Sequence, residues 1–225
     1  MKRGKLIVLE GGDASGKATQ TKLLLKKLKK QGYKTAAIAF PQYYTSFYGK
    51  LIGRYLKGEF GDVNQINPYL ASLLYACDRW SVKDKLLEWL KQGRIVVSNR
   101  YVSASEAFMA AKLKTKSKQE NFIKWLDKLE FNVNKMPKPD LTIYLDVPLE
   151  ISRKLVIKKG YRKYMKGVKL DIHERNKPYQ KRVYVIFKRL SKRPKWIHIN
   201  CTKNNKLLSK KEISNKIWAI VSKKI

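Results

Sequence analysis

The chain has 225 residues, of which 51 are Lys or Arg and 17 are Asp or Glu, for a net charge of +34. Apolar residues at 44% and aromatics at 11% exclude a disordered polyelectrolyte, because disorder needs few aromatics as well as high charge. No apolar run approaches the roughly 18 residues of a membrane span, and the basic start Met1–Lys5 is followed by too short an apolar run for a signal peptide. Cys77 and Cys201 are too few for a disulfide framework or a metal set and are expected to be buried apolar residues. The expectation is one soluble, cytoplasmic domain over residues 1–225. Lys supplies 40 of the basic residues and Arg 11, and the last 75 residues carry 24 basic against 3 acidic. Such a field attracts any polyanion. The lysines are spread through helical patterns rather than gathered in a block, so charge alone selects no partner, and nucleic acid is not the expected one.

In chain order, Leu6–Leu9 reads as a buried strand followed by a Gly-rich turn, and Lys17–Lys30 as a helix with Leu23, Leu24, Leu25 and Leu28 at helical spacing. Gly32 stops that helix, and a second strand runs from Thr35 to Phe40, closed by Pro41. Phe47–Leu56 and Pro68–Leu90 are expected as helices and Arg94–Ser98 as the third strand. Helices over Ser103–Lys112 and Ser117–Leu129 follow, then a break at Pro137-Lys138-Pro139 and a fourth strand, Leu141–Val147. Pro148–Lys159 is expected as a helix, Gly160–Leu170 as a basic loop, Asn176–Leu190 as a long helix, Trp196–Asn200 as the fifth strand and Ser209–Lys223 as the last helix. Strands alternating with helices imply an α/β fold: a five-stranded parallel sheet with helices on both faces.

The most specific local signal is Gly11-Gly12-Asp13-Ala14-Ser15-Gly16-Lys17-Ala18-Thr19, between the first strand and the first helix. Gly11, Gly16 and Lys17 fill three fixed positions of the phosphate-loop pattern G-x-x-x-x-G-K-[ST]. Such a loop curls so that backbone N–H groups converge on an anion, which requires residues without a Cβ at the tightest points. The helix behind it adds its positive end, and Lys17 adds a mobile charge that can follow a transferred phosphoryl group. The fourth position is Ala18, which lacks the hydroxyl that normally meets Mg²⁺, and Thr19 lies about 100° further round the helix.

A phosphate loop says nothing of the acceptor. Phe40-Pro41-Gln42 and Asn99-Arg100-Tyr101 end the second and third strands, where parallel sheets bind ligands. Tyr75 and Arg79, four residues apart on one helix face, suit stacking on a base and bonding its carbonyl edge. With Glu10-Gly11-Gly12-Asp13, Pro139-Asp140-Leu141, Leu145-Asp146-Val147-Pro148 and a basic stretch before Asp171-Ile172-His173-Glu174, the chain resembles the thymidylate kinase family from about residue 4 to about residue 200. The resemblance implies a P-loop kinase fold that transfers phosphate from ATP to dTMP, uses Mg²⁺ with ATP and forms a homodimer.

It also implies roles by position. Gly11 to Thr19, with Lys17, would hold the ATP phosphates. Basic residues from Arg153 to Lys169, chiefly Arg153, Arg162 and Lys163, would close over ATP, with the lid at about 158–172. Asp13 would contact the sugar 3′-hydroxyl, Phe40 line the nucleoside pocket, Tyr75 stack on thymine, Arg79 bond its O4 and Arg100 bind the acceptor phosphate. Lys17, Arg100 and Asp13 are the residues expected to matter most for catalysis. Three positions depart from the family pattern: Ala18; Asn99, where an Asp is usual; and Gln42-Tyr43, where many members carry an Arg. No metal ligand is therefore certain, and Asp13 and Asn99 are the residues expected to reach the ion through water. The competing readings are a deoxynucleoside kinase and a non-catalytic basic P-loop protein that binds nucleic acid.

Overall fold

The computed structural model describes residues 3–157, 165, 167 and 170–225. Its centre is β1 (Leu6–Glu10), whose five residues are all buried. Successive side chains of a strand point to opposite faces. Leu6 and Val8 accordingly enter one core with Val96 and Tyr144, while Ile7 and Leu9 enter a second with Ile95, Val97, Ile143 and Leu145. An apolar run without alternation thus becomes a strand covered on both sides.

The five strands are parallel, in the order β2 (Thr35–Ala39), β3 (Ile95–Asn99), β1, β4 (Leu141–Asp146), β5 (Trp196–Asn200). After β1 the chain goes to the edge strand β2, returns to β3 between β2 and β1, and then crosses to β4 on the other side of β1. The carboxyl end of β1 is therefore the point where strand order reverses, and a crevice opens there. One face of the sheet is covered by α1 (Lys17–Lys30) and α10 (Lys210–Val221), which contribute Leu24, Leu28, Ile213 and Ile217. The other is covered chiefly by α2 (Phe47–Lys57), α3 (Pro68–Trp80), α5 (Val102–Ala110), α6 (Lys116–Asp127) and α9 (Lys177–Leu190). Short α8 (Ile172–Arg175) opens with a capping box between Asp171 and Glu174. No described helix is long and apolar enough to cross a membrane.

The structure departs from the sequence expectations in a few elements. The single helix expected over Pro68–Leu90 is two, α3 and α4 (Lys83–Lys91), because the chain tightens at Ser81 and Val82. There the Ser81 hydroxyl donates to the Asp78 carbonyl (2.9 Å) and Val82 N–H reaches back only to Arg79 (3.3 Å). The helix expected to end at Leu129 passes at Lys128–Val133 into a π-helical turn. A small hairpin, β6 (Thr202–Lys203) and β7 (Lys206–Leu207), had no periodic signal to announce it. The helix expected over Pro148–Lys159 is described as α7 (Leu149–Ile157). Most of the basic loop that follows, with Arg162 and Lys163, lies outside the described residues. Cys201 is buried as expected, but Cys77 is only partly so.

Candidate active site

A cavity of about 900 Å³ lies over the carboxyl ends of β1, β2 and β3. One wall is the phosphate loop from Asp13 to Gln20, and the opposite wall is made by Phe40, Tyr75, Arg79, Arg100, Ser105 and Phe108. The structure thus brings the two sets of residues singled out in the sequence to one space.

The loop geometry follows from its glycines. Gly11 has φ +149°, and a Cβ there would fall 2.8 Å from the Leu145 carbonyl oxygen, so the loop can pass β4 only without a side chain. Gly16 has φ +87° and precedes α1 without a side-chain cap, whereas Ser46, Asn67, Thr115, Asn176 and Ser209 cap their helices with an oxygen. The first N–H groups of α1 are left for an anion. Lys17 is buried, and its Nζ donates to Gly11 O (3.1 Å), Gly12 O (2.6 Å) and Ser15 Oγ (3.2 Å), which holds the ammonium over the loop.

Arg100 sits where β3 ends, with a left-handed φ of 68° that costs a non-glycine residue about 1–2 kcal/mol. Glu10, fully buried at the end of β1, supports that turn by accepting from Tyr101 N (2.8 Å) and Ser103 Oγ (3.2 Å). Burial pushes the Glu10 carboxyl above its ordinary range, against the pull of Arg100 and Lys17. Arg100 Nη2 donates to Asp13 Oδ1 at 2.5 Å, and the guanidinium lies 5.0 Å over the Phe108 ring. Burial works against the Arg100 charge, but Asp13 and Glu10 outweigh it and raise its pKa.

On the nucleoside side, Phe40 is buried against Tyr101, with ring centroids 5.8 Å apart. The loop after it begins with a cis Phe40-Pro41 bond and is held by Asp78, which accepts from Gln42 N (3.0 Å) and from Ser46 Oγ. Tyr75 lines the cavity and meets Tyr55 edge-on at 6.3 Å. Behind them His173 stacks on Phe108 (5.4 Å) and shares a hydrogen bond with Tyr55 Oη (2.9 Å). Burial, with Lys112 nearby, pulls its pKa down to about 3, so the ring stays neutral.

Arg79 finds its partner not on its own helix but in the turn after α6. It is 1% exposed, and Nε and Nη2 both donate to Glu130 Oε1, at 2.9 and 2.5 Å. Nη2 also reaches Ser105 Oγ at 3.1 Å. Breaking such a buried pair by removing one partner costs about 3–5 kcal/mol. Asp146, at the end of β4, lies 2.7 Å from His198 Nε2 and 3.7 Å from Lys188 Nζ.

The metal question turns on oxygen. Among the described residues no cluster of three or more His, Cys, Asp or Glu could hold an ion alone. Asn99 Oδ1, however, is a buried oxygen without a hydrogen bond, and Asn99 lines the cavity with Asp13 and Thr19. That donor set fits Mg²⁺, which takes oxygen ligands, keeps several waters and leans on substrate phosphates. Of the remaining expected residues, Arg153 has its Nη1 buried without a partner, while Arg162 and Lys163 lie outside the described residues. Glu10, Asp78, Ser105, Phe108 and Glu130 were not anticipated. Of these, Glu10 lies in the motif of the phosphate loop and Asp78 between Tyr75 and Arg79.

Residues 9–213 match the model of the family described as thymidylate kinase. The chain is 34% identical to the thymidylate kinase of Homo sapiens over 149 residues, 66% of this chain but 63% of that protein, so this match spans under two thirds of the relative. It is 29% identical to that of Plasmodium falciparum over 211 residues, covering 90% of this chain and 84% of the relative. Among solved structures, thymidylate kinase from Candida albicans superposes with a TM-score of 0.75 at 26% identity, over 98% of this chain and 92% of that one.

Proposed function

As the chain belongs to the thymidylate kinase family, we propose that it acts as a single kinase unit transferring the γ-phosphoryl group of ATP to dTMP, giving ADP and dTDP. The observation that carries the reading is the one cavity that joins the Lys17 loop to the wall of Phe40, Tyr75 and Arg79. Two substrates can meet there end to end.

The chemistry asks the protein mainly for alignment and charge. An oxygen of the dTMP phosphate, already ionised at pH 7, attacks the γ-phosphorus, and the bond to the β–γ bridging oxygen breaks to release ADP. No general base is needed. Asp13, Tyr75 and Arg79 fix the nucleoside, Arg100 takes the acceptor phosphate, and Lys17 with Arg153 meets charge on the transferring group. Asn99 and Asp13 would hold Mg²⁺ through water, and a bound ion would neutralise phosphate oxygens. Arg162 and Lys163 in the lid would complete the cation set and exclude water.

A homodimer is supported by α3, where Leu70, Leu73, Cys77 and Trp80 recur every three or four residues as an outward stripe, with Leu70 64% and Trp80 52% exposed. The cytoplasm, where ATP and dTMP are made available, is the proposed location. The test offers purified protein ATP and Mg²⁺ with either dTMP or thymidine and resolves the products by chromatography. Formation of dTDP from dTMP supports the reading. Phosphorylation of thymidine alone replaces it with the nucleoside kinase, and tight, salt-dependent DNA binding without product replaces it with the binding protein.

A further inference from the structure

The Arg79–Glu130 pair, combined with the base-reading role proposed above for Arg79, carries a further inference. The two residues are 51 positions apart, one on α3 and the other in the π-helical turn after α6. Glu130 is fully buried, and one of its oxygens, Oε1, takes both Nε and Nη2 of the guanidinium. Its other oxygen, Oε2, is buried with no hydrogen bond. A pair kept for stability alone would be better replaced by apolar residues, which would leave no such atom unsatisfied. The π-helical turn points the same way, since these turns are uncommon and recur at functional sites.

The pairing has two consequences for Arg79. Its positive charge is met by a carboxylate inside the protein, so it offers a phosphate much less than an unpaired guanidinium would. Its planar fork is also committed along the Nε–Nη2 edge and cannot turn. Nη1 has no partner among the described hydrogen bonds, and Arg79 lines the cavity. A neutral ligand meeting this fork must present an acceptor. Position 4 of thymine is a carbonyl and satisfies that demand, whereas position 4 of cytosine is an amino group and would set donor against donor. We propose that Glu130 is a positioning residue that makes Arg79 a reader of base carbonyls, and that it thereby sets preference for thymine over cytosine and keeps the acceptor phosphate at Arg100.

The experiment measures saturation kinetics with dTMP and with dCMP for Glu130→Gln, Arg79→Met and the double variant, together with thermal unfolding of each. Glu130→Gln keeps an oxygen for one N–H but removes the charge. It should raise the dTMP KM about tenfold, the size of effect expected from weakening one charge-assisted hydrogen bond. It should also narrow the dTMP-to-dCMP ratio of kcat/KM while leaving the ATP KM unchanged. In the Arg79→Met background the same substitution should change neither quantity, because Glu130 acts through Arg79. A lowered Tm with unchanged KM and preference overturns the proposal, as does an additive effect in the double variant. If Arg79→Met itself leaves the dTMP KM at its starting value, the base-reading role of Arg79 falls, and the inference about Glu130 with it. Should Glu130→Gln not fold, Glu130→Asp carries the test, since it keeps the charge and retracts the carboxylate. An unchanged dTMP KM in that variant overturns the proposal too.

Discussion

Asp78→Ala probes how the acceptor side of the cavity is built. Asp78 is 1% exposed, and its carboxylate accepts from Gln42 N at 3.0 Å and from the Ser46 hydroxyl. Ser46 in turn caps α2 by accepting from Gly49 N at 2.7 Å, and a Cβ on Gly49 would fall 2.1 Å from the Gln42 carbonyl oxygen. The loop, the start of α2 and the last turn of α3 are therefore clamped at one carboxylate. Hydrogen bonds to a charged group contribute about 1.5–3 kcal/mol each, and water entering from the cavity would recover part of two such losses. A destabilisation of about 3 kcal/mol is expected, or roughly 6–12 °C in Tm for a chain of this size. Displacement of Phe40 should raise the dTMP KM about tenfold, which corresponds to about 1.4 kcal/mol. The ATP KM should hold within about twofold, because the phosphate loop hangs on β1 and α1 rather than on this clamp. Asp78→Asn, which keeps one acceptor oxygen, should fall between. The assays are thermal unfolding and initial rates with each substrate varied. A dTMP KM that does not move while Tm falls would refute the reasoning, and so would an equal rise in both KM values.

Lys17→Met keeps the aliphatic stem and removes the ammonium, so kcat should fall by about 10²–10³ or more with folding intact by circular dichroism; an unchanged kcat would assign the transition-state charge to another cation. The Glu106 carboxyl on α5 is pushed up to about 8 by burial and by Asp127, despite Arg193 at 2.8 Å. A folded pKa above the unfolded value means the folded chain holds the extra proton, so this contribution is complete below about 4.5 and is lost as pH rises towards 8, at up to about 1.4 kcal/mol per pH unit. Urea midpoints of Glu106→Gln should therefore decline less than wild type between pH 5 and 8, and an identical decline would remove Glu106 from the account. Ala18→Ser restores the hydroxyl next to Lys17 and should lower the Mg²⁺ concentration for half-maximal rate at fixed ATP; no change would leave the metal to other oxygens.

Much of this architecture was readable because its signals are short-range. The phosphate loop announces itself through Gly11, Gly16 and Lys17 within seven residues, and β1 through an unbroken apolar run. Tyr75 and Arg79 share a helix face whatever surrounds them. What escaped reading depends on contacts between distant parts of the chain. Nothing near Glu130 says that its partner is Arg79 on another helix, and nothing near Asp78 says that it will clamp a loop 36 residues earlier. The break at Ser81-Val82 escaped because helical periodicity continues across it, and only the tightened hydrogen bonds stop the helix. The π-helical turn is likewise invisible to a 3.6-residue period, since it adds a residue to a turn without changing composition.

The bond between Arg100 and Asp13 has a consequence for which molecules can gain a foothold. These two groups, expected to meet the acceptor's phosphate and sugar, satisfy each other at 2.5 Å. An incoming phosphate must compete with the Asp13 carboxylate for the guanidinium, while Asp13 also lies within reach of Gln180 Nε2 at 3.5 Å. A compound bearing both a phosphate and a hydroxyl at the right separation exchanges one matched pair for two. A free phosphate ion or an unphosphorylated nucleoside can replace only half of what it disrupts. The expected consequence is that a molecule engaging both Arg100 and Asp13 is held better than one that engages either alone.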